Sequence, residues 1–270
     1  RLGASLAEEM NAEFCGVVNR HFPDGERYIR ILMDISNQDV VVVQNTFPDK
    51  KIVELLLILE AVKESGAKSI TCVIPYMGYS RQERIFQAGE ARSAKAIASV
   101  IGGMCDRVFT INVHTPQILK FFGCEAKDIN GSREVVRYLK GFKPHMVVAP
   151  DEGSRDRCTL AAEMLKVPVH VMKKVRIDGR TVETTSGQVD VKGTTAVILD
   201  DIISTGGTIA TAANILRDGG AERVFAACTH GLFIEDAANR LRVCDDILSS
   251  DTLEGVYTRF SVAPAIADAL

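Results

Sequence analysis

The 270-residue sequence lacks any hydrophobic run long enough to cross a membrane. Its most apolar stretch, Ile52 to Val62, carries Glu54 and Glu60 and is far shorter than the roughly 20 residues that a spanning helix requires. The first residues also lack the positively charged segment and apolar core of a signal peptide. No membrane partner and no secretion are therefore expected.

The sequence also lacks an excess of charge of either sign. Lys and Arg number 32 against 35 Asp and Glu, for a formal net charge of -3. That balance gives no electrostatic reason to expect nucleic acid or an anionic membrane surface as a partner. A small anionic substrate held by a few well-placed cations remains compatible with it.

No CxxC pair is present, which argues against a structural zinc site. The cysteines are odd in number and scattered over the chain, as is typical of a reducing compartment. The sequence therefore predicts a cytoplasmic protein. The seven cysteines are Cys15, Cys72, Cys105, Cys124, Cys158, Cys228 and Cys244.

Short apolar runs alternate with helical patterns along the chain. The runs are continuous rather than alternating, which favours strands buried on both faces of a parallel sheet. The predicted strands are Asp39–Asn45, Ser69–Pro75, Arg107–His114, Met146–Asp151, Val167–Lys173, Thr195–Asp201 and Arg223–Thr229. The predicted helices are Lys51–Ser65, Ser93–Ile101, Gln117–Phe122, Ser132–Leu139, Arg157–Leu165 and Thr208–Asp218. This alternation predicts an α/β fold with two domains and a turn-like boundary near Lys127–Gly131.

Four predicted strands end on polar residues, namely Asn45, His114, Asp151 and Asp201. Ligands of open parallel sheets bind outside the carboxyl ends of the strands, so these ends are the first candidates for chemistry.

The segment from Val197 to Thr211, VILDDIISTGGTIAT, combines a buried strand, two acids, a glycine turn and a helix start. Glycines and a helix N-terminus suit a phosphate, whereas Asp200 and Asp201 suit sugar hydroxyls or a metal that bridges them. A glycine turn with a simple Ser/Thr helix cap is the alternative. The double acid favours a ribose 5-phosphate site. Its phosphate loop comprises Ser204, Thr205, Gly206, Gly207 and Thr208.

This string resembles the signature of the phosphoribosyltransferase superfamily that binds 5-phosphoribosyl 1-diphosphate (PRPP). Other segments resemble the ribose-phosphate pyrophosphokinase family, and the resemblance runs from about Phe22 to about Leu253. These segments are FPDGE at 22–26, IPYMGYSRQER at 74–84, NVH with Gln117 and FFG at 112–123, and VAPDEGSR at 148–155. The resemblance implies two type I phosphoribosyltransferase-like domains, at 1–129 and 130–258, each a mostly parallel sheet flanked by helices. It also implies a tail, 259–270, that packs back on the first domain.

Roles for individual residues follow from the resemblance. The implied ATP-binding residues are Phe22, Asp24, Gly25, Glu26, Arg81, Gln82 and His114, and the implied ligands of Mg²⁺, the expected cofactor, are His114 and Asp151. The implied ribose 5-phosphate residues are Arg176, Asp200, Asp201 and the phosphate loop. The chain departs from the family at Asn112, where Asp is usual, and at Glu152 and Ser154, which stand in a stretch that is often glycine-rich in the family.

Lys174 and Arg176 are the predicted catalytic residues. They begin a polar stretch that runs to Lys192, has few apolar anchors and could close over a substrate. Lys174-Val175-Arg176-Ile177 resembles the Lys-x-Arg-Ile pattern of archaeal-type relatives, and mobile cations suit the charge that gathers in phosphoryl transfer. Lys173 is a competing assignment for the lysine.

The activity that the resemblance implies is transfer of the β,γ-diphosphoryl group of ATP to ribose 5-phosphate, giving PRPP and AMP. A phosphoribosyltransferase that consumes PRPP and a non-catalytic regulatory homologue are the alternatives. The family also implies a homo-oligomer built from dimers, in which FPDGE serves a neighbouring subunit. Family members open with a strand, so a chain that starts at Arg1, without Met, is expected to lack it.

Overall fold

The computed structural model describes residues 1–176, 182–185 and 190–270, with only the backbone described at 173–176 and 182–185. The chain divides into two compact units. Unit 1 comprises residues 1–130 and 263–270, and unit 2 comprises residues 131–262.

Unit 1 contains a four-stranded parallel sheet and a separate antiparallel hairpin. Its elements are α1 (Leu2–Glu9), β1 (Val17–His21), β2 (Arg27–Ile31), β3 (Asp39–Val43), α2 (Lys50–Glu64), β4 (Ser69–Ile74), α3 (Ser93–Gly102), β5 (Arg107–Ile111) and β6 (Glu125–Ile129). The sheet order is β3-β4-β5-β6, and β1 pairs with β2. A 3₁₀ helix, Pro116–Phe121, connects β5 to β6.

Unit 2 contains a six-stranded parallel sheet. Its elements are α4 (Ser132–Leu139), β7 (Met146–Ala149), α5 (Arg155–Leu165), β8 (Val169–Val171), β9 (Lys173–Arg176), β10 (Val182–Thr185), β11 (Thr195–Ile203), α6 (Gly207–Asp218), β12 (Arg223–Gly231), α7 (Ala237–Arg240), β13 (Asp246–Ser250) and β14 (Thr258–Phe260). The sheet order is β14-β13-β12-β11-β7-β8, whereas β9 and β10 form an antiparallel hairpin. Three 3₁₀ helices are Lys140–Phe142, Glu152–Ser154 and Leu241–Val243. A last helix, α8 (Ala263–Ala267), belongs to unit 1 and lies against α1.

Alternate residues of the unit 2 strands feed two separate cores. Val148, Ile198 and Ala226 pack with α6 on one face of the sheet. Val197 and Phe225, on the opposite face, pack with α4 and α5. Both faces are therefore buried, which explains why these strands are continuously apolar in the sequence. The prediction of an α/β fold with mostly parallel, helix-flanked sheets is confirmed.

Several predicted strand ends are wrong by a few residues. The strand expected to reach His114 stops at Ile111, because Asn112 adopts a left-handed conformation with φ of 45°. The strand expected to stop at Asp201 continues to Ile203, which pairs with Gly231 of β12. Asn45 and Asp151 each lie two residues beyond the end of their strands.

Other elements were not anticipated. The turn-like segment at 127–131 is strand β6 as far as Ile129, and the two units divide after Asn130. The helix expected at 117–122 is the 3₁₀ helix Pro116–Phe121. No helix in the described ranges is long and apolar enough to cross a membrane.

Candidate functional site

Two adjacent carboxylates near the end of β11 form the centre of the site in unit 2. Arg157 of α5 spans the pair, with one guanidinium nitrogen 3.0 Å from Asp200 Oδ1 and the other 3.2 Å from Asp201 Oδ2. The Ser154 hydroxyl donates to Asp200 Oδ1 at 2.7 Å. One cation thus bridges two acids.

The pKa of Asp200 is raised from its ordinary value of 3.8 to about 7. Burial is the main cause, and the charge of Asp201 adds to it, while the hydrogen bond from Ser154 and the charge of Arg157 oppose the shift. Asp200 is therefore only partly ionised near neutral pH. A bound cation would favour the fully ionised pair.

The phosphate loop follows β11 directly and leads into α6. Gly206 has a φ of +75°, which only glycine adopts without strain, and it caps the helix by position. Within the described residues, no side chain caps the N-terminus of α6, and its first turn carries no acid. Arg240 donates to the Thr205 carbonyl at 3.0 Å and fixes the loop from outside. The first amides of the 12-residue helix α6 are thus available to an anion.

We expect Gly206→Ala to destabilise unit 2 by about 1–2 kcal/mol, because an L-residue pays that cost in the left-handed region. The added Cβ would also stand 3.0 Å from Leu241 Cγ. Gly207→Ala is the matched control, since its Cβ would meet Thr205 Oγ1 only at 4.0 Å, in ordinary contact. Urea unfolding of both variants checks this prediction, and equal stabilities would contradict it.

Asp151 is linked to the acid pair through Ser154. Ser154 is buried, and its hydroxyl lies 2.7 Å from Asp200 Oδ1 and 3.3 Å from Asp151 Oδ1. The neighbouring departure from the family, Glu152, is exposed and pairs with Arg155 at 2.8 Å. The structure therefore brings Asp151, Asp200 and Asp201 together around the hydroxyl of Ser154.

Lys174 and Arg176 lie on β9, where Lys174 pairs with Thr184 and Arg176 with Val182 of β10. Positions two apart along a strand share a face, so Lys174 and Arg176 occupy one face and Lys173 the other. The polar stretch predicted to begin here forms an antiparallel hairpin at 173–176 and 182–185. The β-branched residues of β10 favour a hairpin there. The rest of that predicted loop, at 177–181 and 186–189, lies outside the described residues.

The FPDGE segment is the turn of the β1–β2 hairpin in unit 1. Gly25 has a φ of +94°, and Asp24 Oδ1 accepts from the Glu26 amide at 3.0 Å. Phe22 is 42% exposed and contacts Tyr28 edge-on at 5.6 Å between ring centroids. Arg20 lies over the Tyr28 ring at 4.6 Å. The turn thus presents an aromatic face and acidic groups to solvent.

The hairpin is tied to α2 through the buried carboxylate of Glu54. Lys51 lies 2.8 Å and Arg27 3.4 Å from its oxygens, and Gln44 donates to it. Burial would raise the pKa of Glu54, but hydrogen bonds from Lys51 and Asn19 and the two cations lower it. Ion pairs and hydrogen bonds to Glu54 therefore hold the base of the hairpin against α2.

The segment at 74–84 leaves β4 as a tightly held loop. The Gly78 amide donates to Thr46 Oγ1 at 2.7 Å, and a Cβ at Gly78 would stand only 2.8 Å from the Thr46 carbonyl oxygen. Gln82 Oε1 accepts from Ser93 Oγ at 3.1 Å, which fastens the loop to α3. Arg81 is exposed. Gln82 is thus an anchor, whereas Arg81 faces solvent.

His114 is exposed and lies three residues after β5, in the loop before the 3₁₀ helix. The Asn112 amide donates to the Ile129 carbonyl at 3.0 Å, and the left-handed backbone of Asn112 starts this loop. Asp128 of β6 holds the start of this loop, because it accepts from Thr110 Oγ1 at 2.6 Å and from the Val113 amide at 2.9 Å. Desolvation raises the pKa of Asp128 despite these bonds.

Sequence reasoning missed Arg157 and the role of Ser154. The family segment directs attention to Arg155, which pairs with Glu152 at the surface instead. Both missed residues flank the start of α5, on the side that faces β11. A serine followed three residues later by an arginine, next to a strand that carries two acids, is the signal that was available.

The glycine loop after a double acid on a central parallel strand defines a protein with phosphoribosyltransferase-type architecture. Comparisons with known proteins agree. The model for the N-terminal domain of ribose phosphate pyrophosphokinase matches residues 1–104, and the phosphoribosyl transferase domain model matches residues 126–262.

Similar proteins and a similar solved structure show which family within this class the chain resembles. Ribose-phosphate pyrophosphokinase of Methanopyrus kandleri is 38% identical over 276 residues, covering 100% of this chain and 95% of that protein. The Methanosarcina mazei enzyme of the same name is 42% identical over 253 residues, covering 92% and 84%. The crystal structure of phosphoribosylpyrophosphate synthetase from Mycobacterium smegmatis matches with a TM-score of 0.84 at 28% identity, covering 99% of this chain and 93% of that one.

The chain belongs to the ribose-phosphate pyrophosphokinase family. The family and the enzyme class predicted from the sequence are therefore confirmed. They are favoured over a phosphoribosyltransferase that consumes PRPP and over a non-catalytic homologue.

Proposed function

We propose that the protein transfers the β,γ-diphosphoryl group of ATP to the C1 hydroxyl of ribose 5-phosphate, in a Mg²⁺-dependent reaction that releases PRPP and AMP. The observation that carries this proposal is the acid pair of β11, which Ser154 and Arg157 hold. The pair lies directly before a glycine loop that leads into α6, a helix whose N-terminus has no side-chain cap. We place the activity in the cytoplasm, which the scattered cysteines predict.

The phosphate end and the sugar end of ribose 5-phosphate bind to different groups of the protein. The amides of Gly207 and Thr208, with the loop hydroxyls, hold the 5-phosphate at the N-terminus of α6. Asp200 and Asp201 accept hydrogen bonds from the ribose hydroxyls, because ionised carboxylates are acceptors only. A ligand that carries a phosphate and a diol a few ångströms apart satisfies both groups.

The donor set suits Mg²⁺, which prefers oxygen ligands and is held by one or two carboxylates together with substrate phosphates. Asp151 offers a carboxylate joined by a hydroxyl to the acid pair. Bound Mg²⁺ would neutralise phosphate charge, and His114 is a further proposed ligand.

Lys174 and Arg176 stabilise the transition state. The anomeric oxygen attacks the β-phosphorus in line and AMP leaves, so negative charge gathers on the oxygens around that phosphorus. Two cations of different shape suit this task, since the guanidinium forks onto two oxygens and the ammonium acts as a point charge. Positioning supplies the remaining rate enhancement, because no general base is required of this chain.

The coupled assay that tests the proposed function measures AMP release from ATP with and without ribose 5-phosphate. AMP formation that requires both ribose 5-phosphate and Mg²⁺ supports it, and chelation with EDTA should abolish turnover. A protein that instead consumes PRPP in the presence of a free base would overturn the proposal.

We expect Phe22→Ala to raise the KM for ATP roughly tenfold, because stacking on an aromatic ring contributes about 1–3 kcal/mol per base. Turnover at saturating ATP should change little, since Phe22 does not meet the transferred group. Phe22→Tyr is the matched control and should retain the wild-type KM. An unchanged KM in the alanine variant would remove Phe22 from the ATP site.

We further propose a homo-oligomer in which the FPDGE turn of one subunit serves the ATP site of another. Mixing Phe22→Ala with Lys174→Ala protein tests this arrangement at ATP concentrations below KM. A mixed dimer then contains one site with both Phe22 and Lys174 intact, so activity should exceed the sum of the separate variants. Strict additivity after subunit exchange would indicate that each subunit supplies its own turn.

A further inference from the structure

Three of the seven cysteines lie together in the apolar core of unit 1, away from the carboxyl ends of the strands. Cys72 lies on β4, Cys105 precedes β5 by two residues, and Cys124 directly precedes β6. All three pack in one cluster with Ile101 and Val108. Each of them is a free thiol. Nothing in the proposed reaction uses this cluster.

Cys105 and Cys124 lie just before two neighbouring parallel strands, because Arg107 of β5 pairs with Glu125 of β6. Their thiols also interact through a side-chain hydrogen bond. Two sulfurs in hydrogen-bonding contact can close to a disulfide, for which the Cα atoms must lie roughly 4.4–6.8 Å apart.

Cys105 is the central thiol of the three, since it interacts with both Cys72 and Cys124. The hydrogen bond from Cys72 lowers the pKa of Cys105, whereas burial and the charge of Asp106 oppose the shift. The pKa of Cys124 is raised to about 11, chiefly by burial. Cys105 therefore carries the larger thiolate fraction, and the thiolate is the nucleophilic form.

Accessibility separates the two outer thiols. Cys72 is fully buried in the middle of its strand, while Cys105 and Cys124 are both partly exposed. A small oxidant can thus reach Cys105. Of the two thiols next to Cys105, Cys124 is the more exposed.

We propose that Cys105 and Cys124 form a reversible oxidation site that reacts with peroxides and closes to a disulfide. The Cys105 thiolate attacks one oxygen of hydrogen peroxide, the O–O bond breaks, and hydroxide leaves, which gives a sulfenic acid. Cys124 sulfur then attacks the Cys105 sulfur, and the sulfenic hydroxyl leaves as water with the Cys124 proton. In total, two thiols and one peroxide give one disulfide and two waters.

Peroxide titration of the full chain, followed by non-reducing peptide mapping, tests the proposal. We expect a peptide pair linked through Cys105 and Cys124, a loss of two titratable thiols, and full reversal by dithiothreitol. In Cys124→Ala protein, the Cys105 sulfenic acid should persist and react with dimedone. Absence of the linked peptides, or dimedone labelling of Cys105 that is equal in wild type and Cys124→Ala, would overturn the proposal.

Cys244 supplies the matched control, because it is partly exposed, has a pKa raised to about 12 by burial, and lies in unit 2. It should oxidise at least tenfold more slowly than Cys105 at the same peroxide concentration. Oxidation of Cys244 at the rate of Cys105 would indicate unselective damage and would contradict a specific site. Cys244→Ala protein should form the Cys105–Cys124 link at the wild-type rate.

Discussion

Replacement of Lys174 by alanine is expected to lower turnover roughly 10²–10³-fold, the usual cost of removing one preorganised group that stabilises transition-state charge. The KM for both substrates should change far less, because the charge it meets develops only in the transition state. Steady-state AMP release at saturating ATP and ribose 5-phosphate measures the effect.

Lys173→Ala is the matched control for this prediction. It removes the same side chain one position earlier on β9, on the opposite face of the strand from Lys174 and Arg176. Turnover of this variant should stay within a few-fold of wild type. If Lys173→Ala is the inactive variant and Lys174→Ala is not, the two lysines exchange roles.

Asp200→Asn is expected to stabilise the ligand-free protein while it impairs the enzyme. The pKa of Asp200 is about 7 in the folded chain against an ordinary 3.8, so folding takes up a proton between these values. The stability of the wild type therefore falls as pH rises through this window, and a neutral side chain escapes that loss. The free energy of unfolding of the variant, measured in urea, should exceed that of the wild type by about 2–4 kcal/mol at pH 8 and by less than half of that at pH 5.

Activity should move in the opposite direction. Asparagine keeps the acceptor that meets Ser154 and Arg157 but lacks the charge that we propose binds the sugar hydroxyls. A hydrogen bond to a charged group contributes about 1.5–3 kcal/mol, so kcat/KM for ribose 5-phosphate should fall about 10–100-fold. Asp156→Asn, at an exposed position on α5, is the control and should change neither quantity. A stability difference that is equal at pH 5 and pH 8 would contradict the titration of Asp200.

The parallel strands and the phosphate loop could be predicted because their signals are local. β11 is continuously apolar up to two acids, and both of its faces are buried. Its apolar run alone therefore predicts a strand that is covered on both faces. The β1–β2 hairpin carries weaker signals, since it pairs outside the main sheet and each of its strand residues is either exposed or only partly buried. Its turn was recognised through the family resemblance alone.

The support of the acid pair could not be predicted, because it depends on residues 43 and 46 positions away in the chain. Arg157 and Ser154 reach β11 only once α5 packs on the sheet. The local sequence offers Arg155 just as readily, and tertiary structure decides between the two arginines. Asn112 shows the same limit, since a single left-handed residue shortened a strand that its neighbours would have extended.

The position of α8 has a consequence for the order in which the protein can fold during synthesis. Its buried Ile266 belongs to the same unit as Leu6 of α1, yet the whole of unit 2 separates them in the chain. Because synthesis starts at the N-terminus, residues 1–130 leave the ribosome before α8 exists. Unit 1 can therefore be completed only after unit 2 has emerged. Unit 2 is continuous and can close first, so the half that is made earlier is the half that matures last.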